Sequence, residues 1–311
     1  MVSLVRLSSA NIDEFQKLCE KNFNKETYDK DFFEYYNSQN FFPKMFIKRF
    51  VKLFLYKGKF IGYIWYEMPI DIYVKVFSLY IEEKYIDTVN KNTFNKFNEK
   101  YLVYESIENS DNNKLLQNLG FKITKPTIMM KLQTSYYDRK YDIEKIYKSA
   151  INNKKLLYLV NNYFNEYNKV VNITFTKVNP KTEILLRCEV QNDIFENNNR
   201  VPIEIEDIEN DIKQDYYIDD LAIFMRINNS VVAYGQIIYI RKKYTVVNFG
   251  VVNGLRGFGL GKLLLDHLIN KAINKGIDEV VLRVDNKNLN AISLYEWIGF
   301  KSTYNIVRWE R

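Results

Sequence analysis

The chain has 311 residues, 47% of them hydrophobic and 27% charged, with a net charge of +7. That length suits two globular domains of about 150 residues each. One histidine and two cysteines, Cys19 and Cys188, leave no material for a histidine-dependent triad, a multi-histidine metal centre or a disulfide framework. The basic surplus alternates with acids and forms no block of five basic residues, so it predicts a local anion site and not a nucleic-acid surface. No signal-peptide pattern opens the chain and no run of 18 apolar residues occurs, so the sequence reads as a cytoplasmic protein without a membrane span.

The first half opens with a strand, "SLVRL", and a helix, "SSANIDEFQKLCEKNF". Residues 52–67 read as a hairpin turning at "KGK", and "LLQNLGF" (115–121) as a helix end. Residues 135–168 are amphipathic at helical spacing and read as a packed connector. The second half starts with an extended, β-branched run at 170–178. Asn179 and Pro180 then predict the N-cap and first position of a helix. A short acidic helix is predicted over 203–212. Strands over 221–227 and 230–240 meet at "NN", and a third covers 243–252. A long helix runs from Gly259 to Lys275 and stops at Gly276, followed by a strand (279–284), a helix (288–299) and a last strand. The first half copies this order faintly. Residues 52–67 can be laid over 223–240, and "LLQNLGF" over "LYEWIGF".

The chain has 11 glycines, and three of them alternate at Gly257, Gly259 and Gly261, between a strand and a helix. The first N–H groups of a helix lack internal partners and carry the positive end of its dipole, so this turn predicts a bound phosphate. A Walker loop is excluded because the position after Lys262 is Leu263 and the first position is Arg256. The dinucleotide fingerprint is excluded because its third glycine would fall on Lys262.

What fits is Arg-x-x-Gly-x-Gly at Arg256, Gly259 and Gly261. A second pattern comes after it at Asn288, Ala291, Leu294, Tyr295, Gly299 and Phe300. With both motifs, residues 170–311 resemble the GCN5-related N-acetyltransferases, and residues 1–132 resemble them in outline. The resemblance implies a mixed α/β (α+β) fold of two tandem domains, each a twisted mixed sheet flanked by helices and splayed between its fourth and fifth strands. Residues 1–134 would be a degenerate copy, 135–168 the helical connector, and 169–311 the catalytic domain binding acetyl-CoA.

The resemblance also implies a site. Arg256 and the backbone of Gly257, Phe258, Gly259, Leu260, Gly261 and Lys262 would hold the pyrophosphate. Phe249, Gly250 and Val251 would pair with the pantetheine arm like an added strand, and Asn288 would meet it from the other side. Tyr295 would contact the cosubstrate and act as the general acid. Arg283 stands where some members carry a glutamate base, and "YTVVNFGVV" offers no carboxylate. Asp219, Asp220, Glu183 and Glu189 read as surface acids and His267 as an exposed side chain. In the first half, "VFSLYIEEKYIDTVNKNTF" has no glycine loop and Leu116 replaces Tyr295, so no catalysis is expected there. Its expected role is to complete the acceptor cleft or to stabilise the active half.

The expected activity is acetyl transfer from acetyl-CoA to a primary amine of a small molecule or peptide in a ternary complex. No metal, nucleic acid or membrane is expected to take part, and the chain is expected as a monomer or homodimer. A non-catalytic acyl-CoA sensor or interaction module stands as the alternative. An aminoacyl-tRNA-dependent peptide-bond-forming transferase is a third reading, against which the glycine loop argues.

Overall fold

Strand residues that alternate between two faces can bury both when helices cover each side. Val51 and Leu53 of β2 (Val51–Tyr56) join Phe15, Phe32 and Trp65 in one buried cluster, while Phe54 joins Leu102, Leu116 and Trp309 in another. A computed structural model describes residues 2–24, 27–39, 46–67, 73–97, 101–196 and 201–311. The chain forms two compact units. The first holds Met1–Ile128 and Tyr304–Arg311, and the second holds Met129–Thr303.

In the first unit, β1 (Ser3–Arg6), β2, β3 (Lys59–Tyr66) and β4 (Tyr73–Ile81) pair antiparallel in sequence order. β4 pairs parallel with β5 (Tyr101–Ile107). β5 pairs antiparallel with Ile306–Glu310 of β12 (Lys301–Glu310), so the chain's last strand is built into this unit. Helices α1 (Ile12–Phe23), α2 (Phe32–Ser38) and α3 (Ser110–Asn118) belong to it. Asp31 caps α2 and Asn109 caps α3 by accepting backbone N–H bonds.

The second unit takes the end of β6 (Lys122–Gln133) and the connector helices α4 (Lys140–Ile151) and α5 (Lys154–Phe164). β7 (Ile173–Lys177), β8 (Ala222–Ile227), β9 (Ser230–Ile240) and β10 (Lys243–Val251) pair antiparallel. β10 pairs parallel with β11 (Glu279–Asp285), and β6 neighbours β11. Helices α6 (Ile184–Ile194), α7 (Ile205–Ile212), α8 (Leu260–Asn274) and α9 (Leu289–Ile298) complete it. α8 is the crossover between the parallel strands β10 and β11, and Leu264 and Leu268 are fully buried on it.

The predicted helix start at Asn179 and Pro180 is not observed. Asn179 Oδ1 accepts the N–H of Lys181 (2.9 Å), and its carbonyl accepts from Thr182 and Glu183. These bonds close a tight turn, and α6 begins at Ile184. Among the described residues, no helix is long and apolar enough to cross a membrane.

Candidate functional site

β10 and β11 are in parallel register only over Tyr244–Val246 and Val280–Leu282. Two residues later β10 bulges. Asn248 takes φ +50°, and the register against β9 shifts between Val247 and Gly250. Asparagine tolerates this left-handed conformation better than other side chains, and a bulge bends its strand and re-aims the residues beyond it. Phe249 and Gly250 are half-buried on the bent segment and Val251 is buried. Helix α6 crosses it so closely that a Cβ on Gly250 would overlap Ile194 Cγ2. The Phe249 ring lies 6.0 Å from that of Tyr295.

The loop after β10 is held from below. Arg256 Nε donates to the Val251 carbonyl (3.0 Å) and its Nη2 to the Ile194 carbonyl (2.6 Å), so the guanidinium ties the loop to β10 and α6. Gly257 and Gly259 have φ of +90° and +79°, which other L residues adopt at a cost. Gly259 is the N-cap of α8. Among the described residues, none accepts a hydrogen bond from the backbone N–H groups of Gly257, Phe258, Gly259, Leu260 and Gly261. Five donors at the positive end of a 15-residue helix form an anion cradle. Lys262 stands in the first turn with its Nζ 4.0 Å from the centre of the Trp297 ring. A cation there opposes the helix dipole unless an anion is nearby.

Tyr295 is 9% exposed, and its hydroxyl has no hydrogen-bond partner among the described residues. Burial pushes its phenol up to about 12. It therefore keeps its proton throughout the neutral range and can serve as a donor. Asn288 is exposed, and its Oδ1 caps α9 by accepting the Ala291 N–H (3.1 Å), which leaves the amide nitrogen for another partner. Glu183 pairs with Arg226 (2.6 Å), Asp220 with Lys177 and Lys275 (3.0 and 2.8 Å), and Asp219 with Lys177 (3.8 Å). These acids are occupied, and Glu189 is exposed. His267 corrects the sequence expectation. It is half-buried, and its ring stacks on Phe175 at 4.2 Å with 6° between planes. Burial, with a smaller contribution from Lys271, pushes its imidazole down to about 4. Among the described residues, no group of histidine, cysteine or carboxylate side chains is placed to hold a metal.

The first unit builds the same opening and fills it. β4 and β5 are in register over Tyr73–Lys75 and Tyr101–Val103. Four residues beyond Lys75, the Leu79 N–H donates to the carboxyl of Asp29 (3.3 Å). Gly250 is the residue four beyond Val246 on β10. Asp29 is also met by Tyr104 Oη (2.6 Å), Ser78 Oγ (2.8 Å) and Asn22 Nδ2 (2.8 Å). A carboxyl of the same chain thus occupies the gap between these strands. After β4 comes Glu82, with Lys21, Lys59 and Lys84 within 2.6, 3.7 and 3.8 Å. Leu116 is 1% exposed in the core.

Sequence reasoning missed the connector's part. A Cβ on Gly259 would stand 2.7 Å from Ile146 Cγ2 on α4, and one on Gly254 2.9 Å from the Tyr163 ring on α5. Asp193 accepts from Tyr163 Oη and from the Asn253 N–H (3.0 Å). It also missed the bulge at Asn248, for which an asparagine inside a strand pattern was the available signal.

Residues 189–300 match the model of the acetyltransferase (GNAT) family. Over 56 residues the chain is 39% identical to the ribosomal protein bS18-alanine N-acetyltransferase of Salmonella typhimurium, a match spanning 18% of this chain and 38% of that relative. A GCN5-related N-acetyltransferase from Sphaerobacter thermophilus superposes over 100% of this chain and 95% of its own, with a TM-score of 0.68 and 14% identity. A tandem GNAT protein from the clavulanic acid biosynthesis pathway covers 100% and 98%, with a TM-score of 0.60 and 10% identity. At those identities the two likenesses speak to the fold, which is that of two tandem GNAT-like domains.

Proposed function

We propose that the second unit, whose residues 189–300 match the model of the acetyltransferase (GNAT) family, transfers an acetyl group from acetyl-CoA to a primary amine. The observation that carries this reading is the row of free N–H groups from Gly257 to Gly261, one turn past a strand that has parted from its neighbour. The N–H groups suit a pyrophosphate, and the bent edge of β10 from Phe249 to Val251 suits the amide-bearing arm behind it. Arg256 acts from beneath by fixing the loop, and Asn288 offers its amide nitrogen from the facing helix.

The amine nitrogen attacks the thioester carbonyl, the carbon–sulfur bond breaks, and the sulfur leaves as a thiolate. An alkylamine with a pKa near 10.4 is neutral in only about one molecule in 10³ at pH 7, so its proton must first pass to water or to a basic group. Tyr295 is assigned to the leaving sulfur. A phenol at about 12 is a weaker acid than a thiol, so it steadies the thiolate by donating a hydrogen bond and is not consumed as an acid. β10 carries no carboxylate, Glu279 of β11 pairs with Lys131 (3.3 Å) and Asp285 accepts the Lys287 N–H (2.9 Å), so the amine proton is assigned to solvent.

Calorimetric titration with acetyl-CoA, on the wild type and on Gly259→Glu, tests the reading. One site per chain, lost in the variant, is expected. Two sites would mean that the first unit also binds, and no binding would remove the reading. Release of free thiol in the presence of amines then tests transfer.

A further inference from the structure

On the acetyl-transfer reading, the amine needs a place beside the bulge of β10. A cavity of about 310 Å³ lies there, lined by Arg187 and Gln191 of α6, Asp207 and Asp211 of α7, Tyr216 and Asn248. Arg187, Gln191 and Ile194 fall at i, i+4 and i+7, so they share one face of α6. Ile194 packs on Gly250, and the other two lead from that point into the cavity.

The cavity wall is negative in a chain of net charge +7. Helix α7 carries Glu206, Asp207, Glu209 and Asp211 and no basic residue. Arg187 does not reverse this. Its side chain is 1% exposed, its Nη2 is bound to Asp211 and to Gln236 Oε1 (2.9 Å), and its guanidinium carbon lies 5.4 and 5.1 Å from the rings of Tyr217 and Tyr234. Its Nε and Nη1 are fully buried without a hydrogen-bond partner. The cation is thus committed to Asp211, whose charge it offsets. Asp207 keeps a charge that no ion pair among the described residues offsets. A pocket whose lining carries a net charge of one sign concentrates the opposite sign.

Gln191 is the second, independent observation. It is 2% exposed and lines the cavity, and its side-chain amide has no hydrogen-bond partner among the described residues. Buried amides are normally satisfied, and one left open toward a cavity marks a place for a polar ligand. The Asn248 amide, set by the strained bulge, likewise has no partner among the described residues.

We propose that this cavity is the acceptor site, and that it takes a small aliphatic amine bearing hydroxyl or further amino groups and no carboxylate. The ammonium is drawn in by Asp207, and the acceptor's polar groups bond to Gln191 and Asn248. A carboxylate would face the unoffset charge of Asp207 at a cost.

The test measures thiol release at saturating acetyl-CoA with ethanolamine, 1,4-diaminobutane and glucosamine, against glycine and β-alanine, in the wild type, Gln191→Leu and Asp207→Asn. The asparagine keeps an oxygen for the Glu204 N–H that Asp207 now accepts (2.8 Å), so α7 stays capped. Calorimetric acetyl-CoA affinity and thermal midpoint, expected unchanged in both variants, establish that they are folded. The expected result is turnover of at least one amine of the first group, none of the second, and a rise in KM of about tenfold in each variant. Equal turnover of the carboxylate-bearing amines overturns the proposal, as does an unchanged KM in both variants. Intact acetyl-CoA binding with no amine turned over also overturns it and leaves the cosubstrate reading standing. Loss of acetyl-CoA binding in the wild type removes the acetyl-transfer reading itself, and the proposal with it.

Discussion

Substituting alanine for Gly259 separates two reasons for a glycine at the mouth of α8. The backbone there has φ +79° and ψ 0°. A non-glycine L residue in this region costs about 1–2 kcal/mol. A Cβ would also lie 2.7 Å from Ile146 Cγ2, closer than carbon atoms tolerate. Overpacking of this kind costs about 1–3 kcal/mol, toward the low end here because Ile146 is half-buried and the contact is a methyl end. Together the loss is about 2–4 kcal/mol. Gly257 supplies the control. Its φ is +90°, but a Cβ would meet nothing within 4 Å, so Gly257→Ala is expected to lose only the first part. Ile146→Ala combined with Gly259→Ala should remove the second part. The measurement is denaturant unfolding of the wild type, Gly259→Ala, Ile146→Ala, their double variant and Gly257→Ala, the first four read as a double-mutant cycle. A coupling of about 1 kcal/mol or more between 146 and 259 is expected. If Gly259→Ala costs the same with and without Ile146, or no more than Gly257→Ala, the packing argument is refuted.

Three further outcomes rest on single residues. His267 has its imidazole depressed to about 4 against an ordinary 6.5, so the unfolded chain takes the proton first as pH falls. Its stabilisation is complete above about pH 6.5 and is lost as pH falls toward 4, by at most about 3 kcal/mol. Unfolding curves at about pH 7 and 4.5 should show this, and His267→Gln should flatten the difference. Tyr295→Phe should lower kcat by about 10²-fold in the thiol-release assay while acetyl-CoA affinity holds, since only the hydroxyl is removed. An unchanged kcat would return Tyr295 to a packing role. Arg256→Ala breaks two bonds to backbone carbonyls and should weaken acetyl-CoA affinity about tenfold by freeing the glycine loop, as measured by calorimetry. Equal affinity would show that the loop holds its shape unaided.

The strand–glycine–helix unit was legible because it is local. Gly259 and Leu260 sit within one residue of the predicted helix start, and the hairpin at Asn228 reflects its tolerance of positive φ. The features that escaped depend on partners far along the chain. Ile146 gives no sign in sequence that it limits Gly259, and His267 reads as polar until Phe175 is found beneath it. Asp29 looks like an ordinary loop acid, yet its carboxyl is enclosed by groups from α1, β4 and β5. Asn179 and Pro180 fit a helix start as well as a turn, and only the bonds made by Asn179 decide between them.

The exchange of end strands bears on how such a chain can be inherited. Tyr304–Arg311 close the sheet of the unit that begins at the amino terminus, while Met129–Gln133 of β6 serve the other. A deletion that discards residues 1–134 would strip β6 from the half that carries the glycine loop. The same deletion would leave the tail of β12 without β5 to pair with. Truncation by evolution or by hand thus meets an unpaired strand on either side, with the backbone donors and acceptors that a sheet edge exposes. The amino-terminal half thus ends in a β-strand that the other unit needs, whether or not it holds a ligand of its own.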